Sequence, residues 1–403
     1  MFQKDFNPVL RFMVVSDVHY KDDHCVEEER MDKALKIAYR LAEESDSYKK
    51  LDAVFVDGDF ANSGTLKQME KFKATLDNNL KEETQFMLTM ASHEYHSEGV
   101  EAATEKFKKV FNLPVDNHIS INGFHFISVT PSSGCEFNEE KVKWAADELK
   151  KTREAEPKKP IFFFQHPHIT DTVSGSIYWA DEAFYTTLMN YPQVIDFSGH
   201  SHVPINDPRS IFQKHFTCLG TGSLSYFELD EFDKYYTTCP PNKENCAQML
   251  IVEADKDGRV RVYPYDVLTD NFFPQVWEID EPWNPESFKY TDARYKTNEA
   301  PYFDNAEITI SDVKENGFTL TFPQAKTEDF YVNDYKVVCK EKESGLIVKQ
   351  TCFWSEYYFY NMPETLSLTY DDLKADTEYD ISVRAGSFWN TLSEPITTTV
   401  KTK

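Results

Sequence analysis

Leu10-Arg-Phe-Met-Val-Val-Ser-Asp-Val-His-Tyr20 reads as a buried strand that ends in two ligand-type side chains. Phe12 to Val15 is a short apolar run with β-branched residues, the pattern of a strand covered on both faces. The strand gives way at Asp17-Val18-His19. Residues i and i+2 of an extended segment project to the same side, so a carboxylate and an imidazole leave this tip together. They are a hard oxygen ligand and a borderline nitrogen ligand, a pair suited to a divalent transition metal.

The arrangement recurs downstream. A strand over 51–57 ends in Gly58-Asp59, and one over 85–90 delivers Ala91-Ser92-His93-Glu94. A strand over 160–165 ends at His166, and one over 191–197 ends in Ser198-Gly199-His200-Ser201-His202. Helices are expected over 27–45, 66–79, 101–110 and 139–154, from apolar faces such as Met31, Leu35, Ala38 and Leu41. Asn122-Gly123 marks a type I′ hairpin turn within 118–130. In open α/β sheets ligands collect beyond the carboxyl ends of the strands, so the five tips can converge. Five of the eleven histidines stand there. Taken singly, each of these residues is as readily a turn or a hydrogen-bonded side chain. His24, His96, His118, His125, His168 and His215 are read as such.

A chain of 403 residues exceeds one ordinary core. From about 284 to 304 the composition turns to Pro, Asn, Glu, Tyr and Lys without periodicity, which reads as a linker between domains at 1–283 and 305–403. The last segment holds short alternating runs such as Phe318 to Phe322 and Tyr379 to Val383, the pattern of a β-sandwich. With Leu373-Lys-Ala-Asp-Thr-Glu-Tyr379 before a strand and Ser393-Glu-Pro395 before the last, it resembles a fibronectin type III module, an immunoglobulin-like all-β sandwich.

The order Asp-x-His, Gly-Asp, His-Glu, His, Gly-His-x-His resembles the calcineurin-like metallophosphoesterase superfamily over residues 10–270. The resemblance implies an α/β fold, a four-layer αββα sandwich with a dinuclear metal centre at the loop ends. By that likeness Asp17, His19 and His202 hold one metal, Asp59 bridges, His166 and His200 hold the second, and His93 is the acid at the leaving group. Two ions 3.5–4 Å apart need such a bridge, and they activate a hydroxide that attacks phosphorus. Manganese, iron, zinc, nickel and cobalt all suit these ligands, manganese or iron foremost. Where the family carries Asn before the catalytic His, this chain has Ser92, a shorter and poorer ligand. Gly58-Asp59-Phe-Ala-Asn62-Ser-Gly lacks the arginine of the protein Ser/Thr phosphatases and looks more like the class III cyclic-nucleotide phosphodiesterases.

The expected function is hydrolysis of a small phosphoester, a phosphodiester before a monoester. The alternatives are an extracellular nucleotide or lipid phosphoesterase, and a metal-binding adhesion or scaffold protein with weakened catalysis. Specificity is expected in the loops 170–181 and 226–245, where Tyr178, Trp179, Tyr226 and Phe227 are candidates to stack a base or sugar. A net charge of -25 argues against a nucleic-acid duplex or anionic membrane as partner. No run is long and apolar enough for a transmembrane helix, and no signal peptide is read, which gives a cytoplasmic expectation. A removed leader leaves an extracellular location open, with a carbohydrate or protein partner for the C-terminal domain. The seven scattered cysteines read as free thiols, or as one Cys239–Cys246 pair if exported.

Overall fold

The computed structural model describes residues 1–229 and 231–403. The chain forms two compact units, Met1–Asp230 with Cys239–Thr291, and Glu231–Thr238 with Asp292–Lys403. In the first unit the elements are β1 (Pro8–Val15), α1 (Val26–Glu44), β2 (Ala53–Asp57), α2 (Leu66–Asn79), β3 (Gln85–Thr89), α3 (Gly99–Phe111), β4 (Asn117–Ile121) and β5 (Phe124–Ser128). They continue with α4 (Glu139–Ala155), β6 (Ile161–Phe164), α5 (Tyr185–Leu188), β7 (Val194–Ser198), β8 (Ile211–Gln213) and β9 (Thr217–Gly220). The unit closes with β10 (Gln248–Asp255), β11 (Val260–Asp266), β12 (Asn271–Phe272) and β13 (Trp277–Ile279).

One sheet runs β12-β11-β10-β1-β2-β3 with β13 beside β11, and the other runs β4-β5-β6-β7-β9-β8. The ligand-bearing strands β1, β2 and β3 are parallel neighbours, as are β6 and β7. Their carboxyl ends therefore open in one direction within each sheet. Alternation along the strands builds the layers. Phe12 on β1 lies 5.3 Å from Phe55 on β2 and 4.9 Å from Phe162 on β6, an aromatic layer between the sheets. Phe164 and Phe197 continue it with ring centroids 4.9 Å apart. Met13, Val54 and Val56 face the other way, into a core shared with Met31, Leu35 and Ala38 of α1. Ala145 and Leu149 of α4 cover Ile127, Phe163 and Val194 of the second sheet. Helix, sheet, sheet, helix is the four-layer order expected from the sequence.

Local signals place the ends. Thr65 caps α2 by accepting from the Gln68 N–H, and Asn138 caps α4 by accepting from Lys141 N–H. Asn122 and Gly123 both have positive φ, 52° and 79°, as a type I′ turn requires. The strand expected from residue 191 begins at Val194, because Pro192 offers no N–H to a ladder and Val194 N–H instead closes a turn on Tyr191 O.

The second unit contains α6 (Arg294–Thr297), β14 (Thr309–Ser311), β15 (Phe318–Pro323), β16 (Asp334–Glu341), β17 (Ile347–Trp354), β18 (Thr365–Tyr370), β19 (Glu378–Gly386) and β20 (Ile396–Lys401). Sheets β14-β15-β18 and β17-β16-β19-β20 enclose Phe318, Leu320, Tyr335, Val337, Tyr379 and Ile381. Tyr379 Oη accepts from Lys374 N–H at 3.0 Å, the corner read from the sequence. Glu231–Thr238, inside the loop expected to set specificity, folds with this unit. There Lys234 is buried, with Nζ 2.7 Å from both Asp334 Oδ2 and Glu231 Oε2. None of the seven cysteines forms a disulfide, so the Cys239–Cys246 pair is not made.

Candidate metal centre

Side chains from five strand tips meet in three overlapping groups: Asp17 with His19 and His202, His19 with Asp59 and His93, and Asp59 with His166 and His200. Asp17 Oδ1 is 3.2 Å from His202 Nε2, and His19 Nε2 is 3.2 Å from His202 Nε2. Across the site His166 Nε2 is 3.1 Å from Asp59 Oδ2 and 3.7 Å from Asp17 Oδ1. The whole candidate set from the sequence is brought together.

The backbone is bent to do this. Asp17, His19, Asp59, His200 and His202 all have positive φ, between 49° and 70°. A non-glycine residue costs about 1–2 kcal/mol in that region. Backbone held in this region by its surroundings is common at functional sites.

Hydrogen bonds aim each ligand. Asp17 Oδ2 accepts from Ser16 Oγ at 2.6 Å and from His200 N–H at 3.1 Å, which leaves the buried Oδ1 facing the His202 ring. His166 Nδ1–H donates to Asp57 O at 2.7 Å, and His202 Nδ1–H donates to Tyr226 O at 3.1 Å. In both rings Nε2 is thereby turned to the carboxylates of the centre, that of His166 to Asp59 Oδ2 and that of His202 to Asp17 Oδ1. Glu94 accepts from the N–H groups of Asp59, Ala61 and Ala91, so one carboxylate joins two ligand loops. Gly58 allows the closest approach: a Cβ there would stand 2.4 Å from His166 Nδ1.

Electrostatics fit a cation site. Burial alone would raise Asp59, but the adjoining His166 holds it well below the usual carboxylate range. Burial likewise opposes the depressed value of Asp17, which His202 and His166 impose. Burial would lower His166, yet Asp59 and Asp17 raise it well above 6.5. Burial takes His19 down to about 3 and His200 down to about 4, each helped by a neighbouring imidazole. Carboxylates kept ionised, two imidazoles kept neutral and two holding exchangeable protons form an all-oxygen-and-nitrogen donor set that fits divalent transition metals.

His93 stands apart. Its Nδ1–H donates to Asn62 O at 2.7 Å, its Nε2 is 4.0 Å from Asp59 Oδ2, and its side chain is 29% exposed. Ser92 Oγ lies 3.5 Å from Asp59 Oδ2, beside the second group. Of the aromatic residues singled out, Tyr226 lies 4.1 Å from the His202 ring and Trp179 is edge-on to His200 at 4.9 Å. Phe227 is in the core, and Tyr178 is 58% exposed. Sequence reading passed over Tyr226 O, Ser16, Glu94 and Cys135, whose Sγ is 3.3 Å from His200 Nε2. Glu94, beside the candidate His93 in Ala91-Ser92-His93-Glu94, is the one a sequence pattern offered.

Residues 10–204 match the family model for the calcineurin-like phosphoesterases. Among solved structures, a purple acid phosphatase from yellow lupin (Lupinus luteus) seeds aligns at 14% identity over 68% of this chain and 54% of its own, with a TM-score of 0.49. The FN3 domain of human collagen XX aligns at 17% identity over 26% of this chain and 93% of its own, with a TM-score of 0.19. No curated protein matches the chain.

Proposed function

Because residues 10–204 are a calcineurin-like phosphoesterase domain, we propose that the protein hydrolyses a small phosphodiester at a pair of divalent ions, manganese or iron foremost. The observation that carries this is the position of Asp59, common to the group with His19 and His93 and to the group with His166 and His200. Asp17, His19 and His202 would hold one ion, His166 and His200 the other, with Asp59 between. When bound, such a pair supplies Lewis-acid charge and acidifies the attacking water. The chain supplies the rest. His93, anchored through Nδ1–H to Asn62 O, would pass a proton from Nε2 to the departing oxygen as the P–O bond breaks.

The residues after Asp59 support a diester over a monoester. Phe60 and Ala61 are buried and Asn62 is neutral, so this loop holds no cation for the second negative charge of a monoester dianion. A diester carries a single charge, and its loop likeness is to the class III cyclic-nucleotide branch. The C-terminal sandwich then serves as a binding module for a carbohydrate or protein. The test is hydrolysis of bis-p-nitrophenyl phosphate against p-nitrophenyl phosphate after manganese loading. Faster cleavage of the monoester would remove the diester reading. Ser92 favours the one competing reading, a scaffold with weakened catalysis. That reading requires at most one bound ion and no turnover with any of the five metals.

A further inference from the structure

His168 lies two residues beyond His166 and is fully buried. Both its ring nitrogens are engaged by serine hydroxyls, Nδ1 with Ser198 Oγ and Nε2 with Ser201 Oγ, each at 2.7 Å. A neutral imidazole has one donor and one acceptor, so it satisfies one hydroxyl of each kind without a net charge. Ser198 ends β7, and Ser201 stands between His200 and His202. The ring therefore spans the turn that sends those two imidazoles to different ligand groups, at residues held in the strained left-handed region.

The same residue fastens a second loop. His168 N–H donates to Trp179 O at 3.0 Å, and Asp181 N–H donates back to His168 O at 2.9 Å. Trp179 meets the His200 ring edge-on, and Gly175 of this loop abuts Ser201 so closely that a Cβ would stand 2.4 Å from the serine Cβ. The chain thus ties the strand of His166, the turn of His200 and His202, and the loop of Trp179 at one buried imidazole.

We propose that His168 is a positioning residue of the metal centre, which fixes the direction of His200 and so sets the affinity for the more weakly held ion. It touches neither ion nor substrate; it acts through Ser198 and Ser201. The inference rests on the metal-centre reading given under the proposed function. Outer partners of metal ligands typically account for 10–100-fold in affinity. Ser92, the weak donor in the second group, makes the orientation of His200 weigh more here.

The experiment loads the full chain with cobalt(II), following affinity for each binding step and the visible d–d spectrum. The variants are His168→Phe, which keeps a ring and removes both nitrogens, and Ser198→Ala and Ser201→Ala, which remove one oxygen each. We expect the weaker binding step to loosen by about ten- to a hundred-fold in His168→Phe, with a smaller loss in Ser201→Ala and a changed spectrum in both. Catalysis should fall in kcat at limiting metal while KM for the ester stays put. Folded variants with the parent's affinities and spectrum would reduce His168 to a satisfied core histidine and overturn the proposal. If His168→Phe does not fold, the two serine variants decide alone. A parent chain that binds no cobalt(II) would remove the metal-centre reading and this one together. Binding by the parent with unchanged variants would remove only the role of His168.

Discussion

Asp59 holds a positive φ of 49°, accepts from His93 N–H through Oδ1 and faces His166 through Oδ2. Among the described residues no other ligand carboxylate is shared between the groups containing His93 and His200. Asp59→Asn is therefore expected to lower activity more than His202→Ala, by about a thousand-fold or more. Metal content and rate measured together on both variants check this, and equal losses would take the bridging role from Asp59. Ser92→Asn makes the opposite change, adding an amide oxygen where the side chain is now short. It should raise the rate most when metal is scarce and least at saturation, which a metal titration of both proteins reads directly. Protons set a third expectation. His166 and His202 are raised above 6.5, after burial, by the carboxylates they face, so each keeps a proton that an incoming ion must displace. Metal affinity should increase as pH rises above about 6.5, with proton release on binding. In the metal-free protein the same pairs add stability below that pH and lose it as pH climbs through the raised values. Calorimetry in two buffers of different ionisation heat measures the released protons, and zero release would contradict the assignment.

At the scale of elements, the strand tips were legible because a buried strand announces itself by a continuous apolar run, and its last polar residue then falls at a known place. Asp17, Asp59, His93, His166, His200 and His202 all follow such runs. The partners that aim them were not legible. Ser16 meets Thr221 across 205 residues, His168 meets Ser198 across 30 and Tyr226 O meets the His202 ring across 24, through contacts that only the packed sheets create. The short parallel strand β9 escaped for the same reason: Thr217–Gly220 is apolar on too few residues to show a period, and it exists because β7 offers an edge. Gly58 gives the element scale its own expectation. A Cβ there meets the His166 ring, and φ of +84° strains any other residue. Gly58→Ala should displace His166 and weaken the second group while leaving the aromatic layer, and hence cooperative unfolding, in place. Loss of the unfolding transition would show instead that the β2 tip is needed to fold the sheet.

At the scale of the molecule, the chain leaves the first unit at residue 230, gives Glu231–Thr238 to the second, returns at Cys239, and crosses finally after Thr291. Composition suggests a linker over 284–304 and holds no sign of the earlier excursion. The burial of Lys234 depends on Asp334, one hundred residues on, and Tyr235 N–H depends on Cys352 O. Removing 292–403 leaves that segment without the partners it folds with. The root of the same loop is held differently. Arg30 binds the carbonyls of Leu224 and Ser225, Ser223 Oγ donates to Asp17 O, and His202 binds Tyr226 O, all within the first unit. A chain ending at Thr291 should therefore keep its metal content and its turnover of a small diester, while becoming open to proteolysis between 231 and 238, where the full chain resists. Lys234→Met in the full chain should produce the same cleavage in weaker form, since one buried charge pair is lost and Asp334 is left unpaired. Mass mapping of a brief digest locates the cut. A truncated chain that binds metal but does not turn over would mean that the fold of 231–238 reaches through the loop to Tyr226 and the site, and that the sandwich is part of the catalytic machinery rather than an appendage to it.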